Sequence, residues 1–393
     1  MDQQIYIALF DISLFILVAQ VISSFLIKYH IPALIGQLLA GIIIGPYAIG
    51  QIINNILGIP LISLNEYVVF FSEFSVILLI FASGLEHGIA SIKSAGLLGA
   101  LGATSGALLP FIAAYYLYSS QFGFGSTLML GAAMGATSLA AVAALIEEQK
   151  LKGKGINFLV SASAVDDVVA LLLLSAVLAI LQGTEVTIAS LGIRIIILIV
   201  LWLIIFGVSI FIVPIIVNRT NEKYIDELSF VVLFGLVVLM VYLGYSPIIA
   251  AFVAGVALAN TSKSPRVKEM NNVLLGIFGS IFFVVIGAEV NLKLLSFDAL
   301  IISLELTAVA SVFKWLGVFP FAYLYLRNVK MANAIAAAMI PRGETGLIIA
   351  SIGLSLNVLN QIEFEGIVFM SLFTTLIGSV IFRFQSYLFS EKV

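Results

Sequence analysis

Two adjacent carboxylates interrupt a long apolar stretch near the middle of the chain. Residues 161–175 read SASAVDDVVALLLLS, in which Asp166 and Asp167 are the only charged residues. An uncompensated charge at the centre of a bilayer costs roughly 3 kcal/mol or more. Charged residues inside membrane-spanning segments therefore indicate an ion pathway or a proton relay.

A base occupies a similar depth in another apolar stretch. Lys314 lies in SVFKWLGVFPF, residues 311–321. A single Asp–Lys pair could be structural, but two acids facing one base leave one negative charge without a counter-charge. We therefore interpret Asp167 as functional, with Asp166 and Lys314 as its partners.

Hydroxyl oxygens accompany the acids. Ser163 is four residues before Asp167 and lies on the same helix face, and Thr137 and Ser138 fall near the middle of an earlier apolar stretch. Carboxylate and hydroxyl oxygens suit a hard monovalent cation. The chain has no cysteine, which excludes a thiolate metal site and a disulfide framework. We expect a transported cation and no cofactor.

The composition is that of a polytopic membrane protein. Of 393 residues, 62% are hydrophobic and 10% are charged, whereas soluble proteins are about 25% charged. We expect membrane lipid as the surroundings, and neither a nucleic-acid nor a nucleotide partner.

Thirteen apolar stretches are long enough to cross a bilayer. These all-α spans, numbered 1–13, lie near 5–26, 33–50, 66–85, 95–117, 124–146, 157–182, 189–217, 226–244, 247–261, 271–290, 299–326, 331–355 and 364–388. We expect one membrane domain over residues 1–393 and no soluble domain.

Basic residues divide unevenly between the two sets of loops. The loops after even-numbered spans carry only Lys293, whereas those after odd-numbered spans carry Lys28, Lys93, Lys150, Lys152, Lys154, Arg219, Lys223, Lys263, Arg266, Lys268, Arg327 and Lys330. Cytoplasmic loops are enriched in Lys and Arg. The pattern predicts a multi-pass plasma-membrane protein with its N-terminus outside and its C-terminus in the cytoplasm.

Three segment pairs predict an inverted repeat. They are IPALIGQLLAGIIIG with SPIIAAFVAGVALAN, the Gly-x-Glu of residues 84–86 with that of 287–289, and GATSLA with GETGLI. The similar offsets pair spans 1–6 (about 1–182) with spans 8–13 (about 226–390). Span 7 (189–217) joins the halves and inverts the second. Such repeats place the substrate site at their interface.

Two spans in matching positions of the halves are predicted to be discontinuous. Span 12 contains Pro341, Arg342, Gly343 and Glu344, which are incompatible with a continuous lipid-facing helix. Span 5 has glycines and hydroxyl residues near its middle, at 131–138. In span 5, small residues that only allow close helix packing remain an alternative.

Together these motifs resemble the cation/proton antiporter-2 family, and most of all its NapA-type bacterial sodium/proton antiporters. The resemblance covers essentially the whole chain, and the segments that carry it are AVDDVVALLLL, GATS, Lys314, FFVVIGAEVNL, GQLLAGIIIGP and IPRGETGLI. It implies a homodimer of thirteen-span subunits, each with a dimerisation domain and a six-helix core in which spans 5 and 12 cross.

The resemblance also implies residue roles. Asp167 resembles the carrier of cation and protons, and Asp166 resembles the carboxylate that pairs with Lys314. Thr137, Ser138 and Ser163 resemble the family's auxiliary oxygen ligands. Arg342 and Glu344 resemble the charged pair at the break of span 12.

The predicted function is sodium (or lithium)/proton antiport by alternating access, with net charge movement and no enzymatic chemistry. Asp166 stands where the ligand-gated potassium branch has Gln, and we expect no nucleotide-binding domain, which weakens a gated potassium function. A potassium/proton antiporter remains open. So do a sodium-coupled solute symporter, which has no evident need of Lys314, a cation channel and a sensor without transport.

Overall fold

The computed structural model describes residues 3–94, 96–138, 142–143, 145–146, 149–181, 188–293 and 297–389. Within these ranges every regular element is helical. The α-helices, numbered α1–α15 here, are Gln3–Ile27, Ala33–Ile44, Ile49–Leu57, Glu66–Ser94, Gly96–Tyr118, Phe124–Gly135, Lys154–Leu181, Ile188–Arg219, Ile225–Tyr242, Pro247–Ala259, Ser264–Glu289, Phe297–Leu326, Val329–Ala338, Glu344–Ser355 and Gln361–Gln385.

These helices confirm the thirteen-span architecture. Ten segments of the described chain are long and apolar enough to cross a membrane, and they coincide with spans 1–4, 6–8, 10, 11 and 13. The other three spans correspond to short apolar helices: α6 in span 5, α10 in span 9, and α13 with α14 in span 12.

Spans 5 and 12 are discontinuous, as predicted. Helix α6 ends at Gly135, and Ala136 is extended with φ −64° and ψ 150°. Helix α13 ends at Ala338, and α14 restarts at Glu344 after an interruption that contains Pro341. Proline lacks the N–H that would continue a helix. The N–H of Ser138 donates to the carbonyl of Pro341 at 2.9 Å, so the two interruptions are in contact.

Contacts between the ends of spans agree with the predicted parity of the spans. At the ends of spans 7 and 9, the Ser262 hydroxyl donates to Asn218 Oδ1 at 2.8 Å. The N–H of Asn291, after span 10, donates to Oε1 of Glu365, near the start of span 13, at 2.8 Å. Each contact joins segments that the predicted spans place two membrane crossings apart.

Helices α2 and α11 cross with their backbones in direct contact. A Cβ atom added to Gly41 would overlap the Val284 carbonyl, and one added to Gly287 would overlap the Leu38 carbonyl. The crossing is therefore reciprocal, since each helix supplies a glycine that receives the other's carbonyl.

The same arrangement recurs between α4 and α10. A Cβ on Gly84 would overlap the Phe252 carbonyl, and one on Gly255 would overlap the Phe81 carbonyl. These residues are the counterparts, in the predicted repeat, of the four that meet at the α2–α11 crossing. Each crossing thus joins one span of the first half to one span of the second, and the predicted repeat relates the two crossings to each other.

The chain divides into two compact units. One comprises Met1–Glu73, Ala95–Ala170 and Ser280–Val393, and the other comprises Phe74–Ser94 and Leu171–Gly279. In the first unit, Phe158, Phe382 and Phe389 pack among buried aliphatic residues of α5, α12 and α13. In the second, Phe74 packs against Phe234 and Phe278. All candidate site residues belong to the first unit.

Candidate functional site

Asp166 of α7 and Lys314 of α12 form a fully buried ion pair. The Lys314 Nζ lies 2.6 Å from Asp166 Oδ1, and neither side chain is exposed to solvent. The ammonium also donates to the carbonyl of Gly135 at 2.9 Å. Gly135 is the last residue of α6, where helix carbonyls carry partial negative charge. Lys314 therefore ties α7 and α12 to the broken end of span 5.

The other oxygen of Asp166 is available to a ligand. Oδ2 is buried and accepts no hydrogen bond of good geometry from the described residues. Thr137, in the interruption of span 5, interacts with the same carboxylate, and its Oγ1 is 3.5 Å from the Met339 carbonyl. A buried acceptor without a partner is costly, and a cation or a proton at this oxygen removes that cost.

Asp167 has a different environment from its neighbour. Successive helical residues point about 100° apart, and Asp167 is partly exposed whereas Asp166 is not. Ser163 is buried one turn before Asp167 on the same face of α7. The two acids therefore differ in environment: Asp166 is fully buried against Lys314, and Asp167 is partly exposed.

Ser138 lies at the contact between the two interruptions. Its hydroxyl donates to Glu344 Oε2 at 2.7 Å, and its N–H donates to Pro341. Glu344 begins α14, where a carboxylate is favoured by the partial positive charge of a helix N-terminus. In this structure Ser138 thus joins span 5 to Glu344, whereas Thr137 is the hydroxyl that interacts with Asp166.

Arg342 is buried in a shell of backbone carbonyls. Its Nε donates to Met134 at 2.9 Å, its Nη1 to Met339 at 3.2 Å and to Ile340 at 2.6 Å, and its Nη2 to Ala310 at 3.0 Å. Two of these carbonyls, those of Met134 and Met339, lie at the ends of α6 and α13, where no further helical turn supplies donors. The two charges predicted at the break of span 12 thus have separate partners: Arg342 binds carbonyls and Glu344 binds Ser138.

Arg342 also changes the charge balance that the sequence suggested. It is close enough to Asp166 and Lys314 for the charges to interact. When all four groups are ionised, the charges of Asp166, Asp167, Lys314 and Arg342 sum to zero. The sequence alone had suggested two acids and one base. The position of Arg342 between Pro341 and Gly343 was the available signal, but its proximity to α7 depends on the tertiary fold.

The chain is similar in sequence to known membrane proteins over nearly its full length. The family model for the sodium/hydrogen exchanger, transmembrane, matches residues 12–385. A sodium/proton antiporter of Enterococcus hirae is 32% identical, over 96% of this chain and 97% of the relative. The Na(+)/H(+)-K(+) antiporter GerN of Bacillus cereus is 29% identical, over 94% and 93%.

The fold also matches a solved structure. The sodium/proton antiporter MjNhaP1 of Methanocaldococcus jannaschii, determined at pH 8, superposes with a TM-score of 0.75 at 17% identity, over 99% of this chain and 100% of that one. At this identity the likeness concerns the fold alone. Together with the matches in sequence, it leads to one conclusion: the chain belongs to the sodium/hydrogen exchanger family, a family of multi-pass membrane cation/proton antiporters.

Proposed function

We propose that this chain exchanges sodium or lithium ions for protons across the plasma membrane by alternating access. The observation that carries the proposal is the difference in environment between the two adjacent acids. Asp166 is buried against Lys314, and Asp167 beside it is partly exposed. The relatives from Enterococcus hirae and Bacillus cereus are both named as sodium/proton antiporters.

Asp167 is the site for which cation and proton compete. Either ligand neutralises the same carboxylate, so one excludes the other and exchange needs no ATP. Ser163, Thr137 and Asp166 Oδ2 are the candidates for additional oxygen ligands, and Ser138 would join them on leaving Glu344. An empty, charged site in mid-membrane is unfavourable, which discourages return without a ligand.

Lys314 supplies a second proton. A cation bound across both carboxylates takes Asp166 away from Lys314 and leaves an ammonium near Arg342. A guanidinium stays charged in proteins, whereas a buried lysine readily loses its proton. Repulsion from Arg342 therefore favours proton release from Lys314, and one cation exchanges for two protons with net charge movement.

We further propose that the two repeats act as one transport domain, with the N-terminus outside, the C-terminus in the cytoplasm and two copies forming a homodimer. Helix α1 exposes Leu9, Phe10, Leu17 and Val21. Such a face suits membrane lipid or a second subunit.

Potassium/proton antiport is the second candidate. It is supported by the name of the relative from Bacillus cereus, a Na(+)/H(+)-K(+) antiporter. Potassium would use the same carboxylates, so the arrangement of Asp166, Asp167 and Lys314 suits either ion. A solute symporter fits less well, because it has no evident need of the buried pair between Asp166 and Lys314.

The deciding experiment measures lumenal pH in proteoliposomes while sodium, lithium and potassium are added in turn. We expect sodium and lithium to drive proton movement in the wild type, and Asp167→Asn to abolish it. If potassium alone drives proton movement, the function is potassium/proton antiport, the second candidate, and not sodium/proton antiport. Cation flux without proton counterflow would contradict antiport altogether.

A further inference from the structure

A segment of α5 that carries no charge lies beside the mid-membrane ion pair. We propose that Gly106 is a positioning residue, and that the slot left by its missing side chain sets the strength of the Asp166–Lys314 pair. The proposal rests on the exchange function above and adds a residue that tunes it.

Helices α5 and α12 touch backbone to backbone beside Lys314. A Cβ on Gly317 would lie 2.6 Å from the Ser105 carbonyl and 2.7 Å from Gly106 Cα. The Ser105 hydroxyl donates to the Gly317 carbonyl at 2.7 Å. Because Lys314 is one turn before Gly317, it lies on the face of α12 that meets α5.

The stem of Lys314 runs past Gly106. A Cβ at Gly106 would lie 3.4 Å from both Cδ and Cε of Lys314, and 2.8 Å from Val318 Cγ2. Lys314 and Val318 are fully buried, and close-packed interiors transmit small volume changes to their neighbours. A Cβ atom at position 106 would therefore fill the space beside the stem of Lys314, and it would force Val318, one turn further along α12, to move.

The same segment of α5 also contacts the ammonium's other partner. A Cβ on Gly135 would lie 2.7 Å from the Ala107 carbonyl, and the Gly135 carbonyl is the one that Lys314 binds. Residues 105–107 thus set the distance of α5 from both α12 and the end of α6. This short segment therefore positions both the stem of Lys314 and the Gly135 carbonyl that the ammonium binds.

A single added methyl group tests the proposal. Gly106→Ala should displace Val318 and, with it, the adjoining turn of α12 that carries Lys314. This displacement should loosen the contact between Lys314 and Asp166, which an entering cation must displace. We expect the sodium KM to fall by about threefold or more, with the pH of half-maximal exchange shifted to lower values. Gly106→Ala with Val318→Ala, which restores the lost space, should return both values toward wild type.

Gly102→Ala is the matched control. Gly102 is one turn earlier on α5, and its added Cβ would lie 3.2 Å from Phe321 Cβ and away from Lys314. This variant should keep the wild-type KM and pH profile. An unchanged KM and pH profile in Gly106→Ala, or equal shifts in both variants, would overturn the proposal.

A second measurement does not depend on transport. In purified full-length protein, Gly106→Ala should lower Tm by less in an Asp166→Asn background than in the wild type, because the pair that it loosens is already absent. Equal Tm losses in the two backgrounds would refute the positioning role. If wild-type vesicles exchange no cation but this coupling is observed, the exchange function fails and the positioning role stands.

Discussion

Arg342 and Met134 are joined across the two repeats by a hydrogen bond of 2.9 Å from the guanidinium Nε to the backbone carbonyl. Met134 is in the last turn of α6, in the first repeat, and Arg342 is in the interruption of span 12, in the second. A buried base of one half thus neutralises a helix end of the other half. The crossing is held together by this charge as well as by packing.

Removal of Arg342 should strongly destabilise the protein. Arg342→Ala leaves buried carbonyls without donors, and we expect a loss of about 3–5 kcal/mol. Arg342→Lys should also be destabilising, since an ammonium has only three donors and lacks the planar fork. Thermal unfolding in detergent measures both effects.

Arg266→Lys is the control for this prediction. Arg266 pairs with Asp226 at an exposed position, where ion pairs contribute about 1 kcal/mol or less. An Arg342→Ala protein as stable as Arg266→Lys would show that the carbonyl shell contributes little.

The two aspartates should respond differently to the same substitution. Asp167→Asn should abolish both cation binding and proton exchange, because its carboxylate is the shared site. Asp166→Asn should retain residual exchange, since its proposed role is to hold Lys314. Isothermal titration with sodium and exchange assays in vesicles measure the two properties. Wild-type-like transport by Asp167→Asn would refute the assignment.

Lys314 should determine the charge moved in each cycle. Exchange by the wild type should respond to a membrane potential clamped with a potassium gradient and valinomycin, with sodium as the substrate. Lys314→Gln removes the second proton, so any remaining exchange should be insensitive to the potential. A wild-type protein that ignores the potential would make Lys314 a structural partner only.

The pH dependence of the sodium KM should show how many protons compete with sodium for the site. Protons bind where sodium binds, so the KM should rise as the pH falls. With one competing proton the limiting rise is about tenfold per pH unit, and with two it is about a hundredfold. We expect a slope above tenfold in the wild type and close to tenfold in Lys314→Gln, measured in vesicles between pH 6 and 8. A KM that is independent of pH would contradict competition.

The spans, the breaks and the acid–base set could be predicted because their signals are local. Hydropathy identifies a span, Pro341 identifies an interruption, and an acid such as Asp166 within apolar residues stands out by itself. The carbonyl shell of Arg342 could not be predicted, because Met134 and Ala310 are distant in sequence. The bond between Ser138 and Glu344 likewise joins positions 206 residues apart.

The glycine crossings illustrate a second limit. The sequence repeat included Gly84 and Gly287, but a small residue in a membrane helix usually indicates close packing without naming the partner. Only the structure shows that Gly84 receives the carbonyl of Phe252.

The predicted topology can be tested directly because the chain has no cysteine. Lys154 and Lys293 are exposed in loops predicted to lie on opposite sides of the membrane. Lys154→Cys should react with an impermeant thiol reagent only in inside-out vesicles, and Lys293→Cys only in intact cells. The reverse pattern would invert the assigned orientation, and labelling of both positions from one side would overturn the span count.

The reciprocal glycines of α2 with α11 and of α4 with α10 have a mechanical consequence. At each crossing two carbonyls are lodged against two bare Cα atoms, so neither helix can slide along or roll over its partner without first separating from it. Separation would expose backbone that no side chain covers. Each pair of crossed helices should therefore move as one rigid unit held at two contact points. The flexing that transport requires should then occur in other parts of the chain.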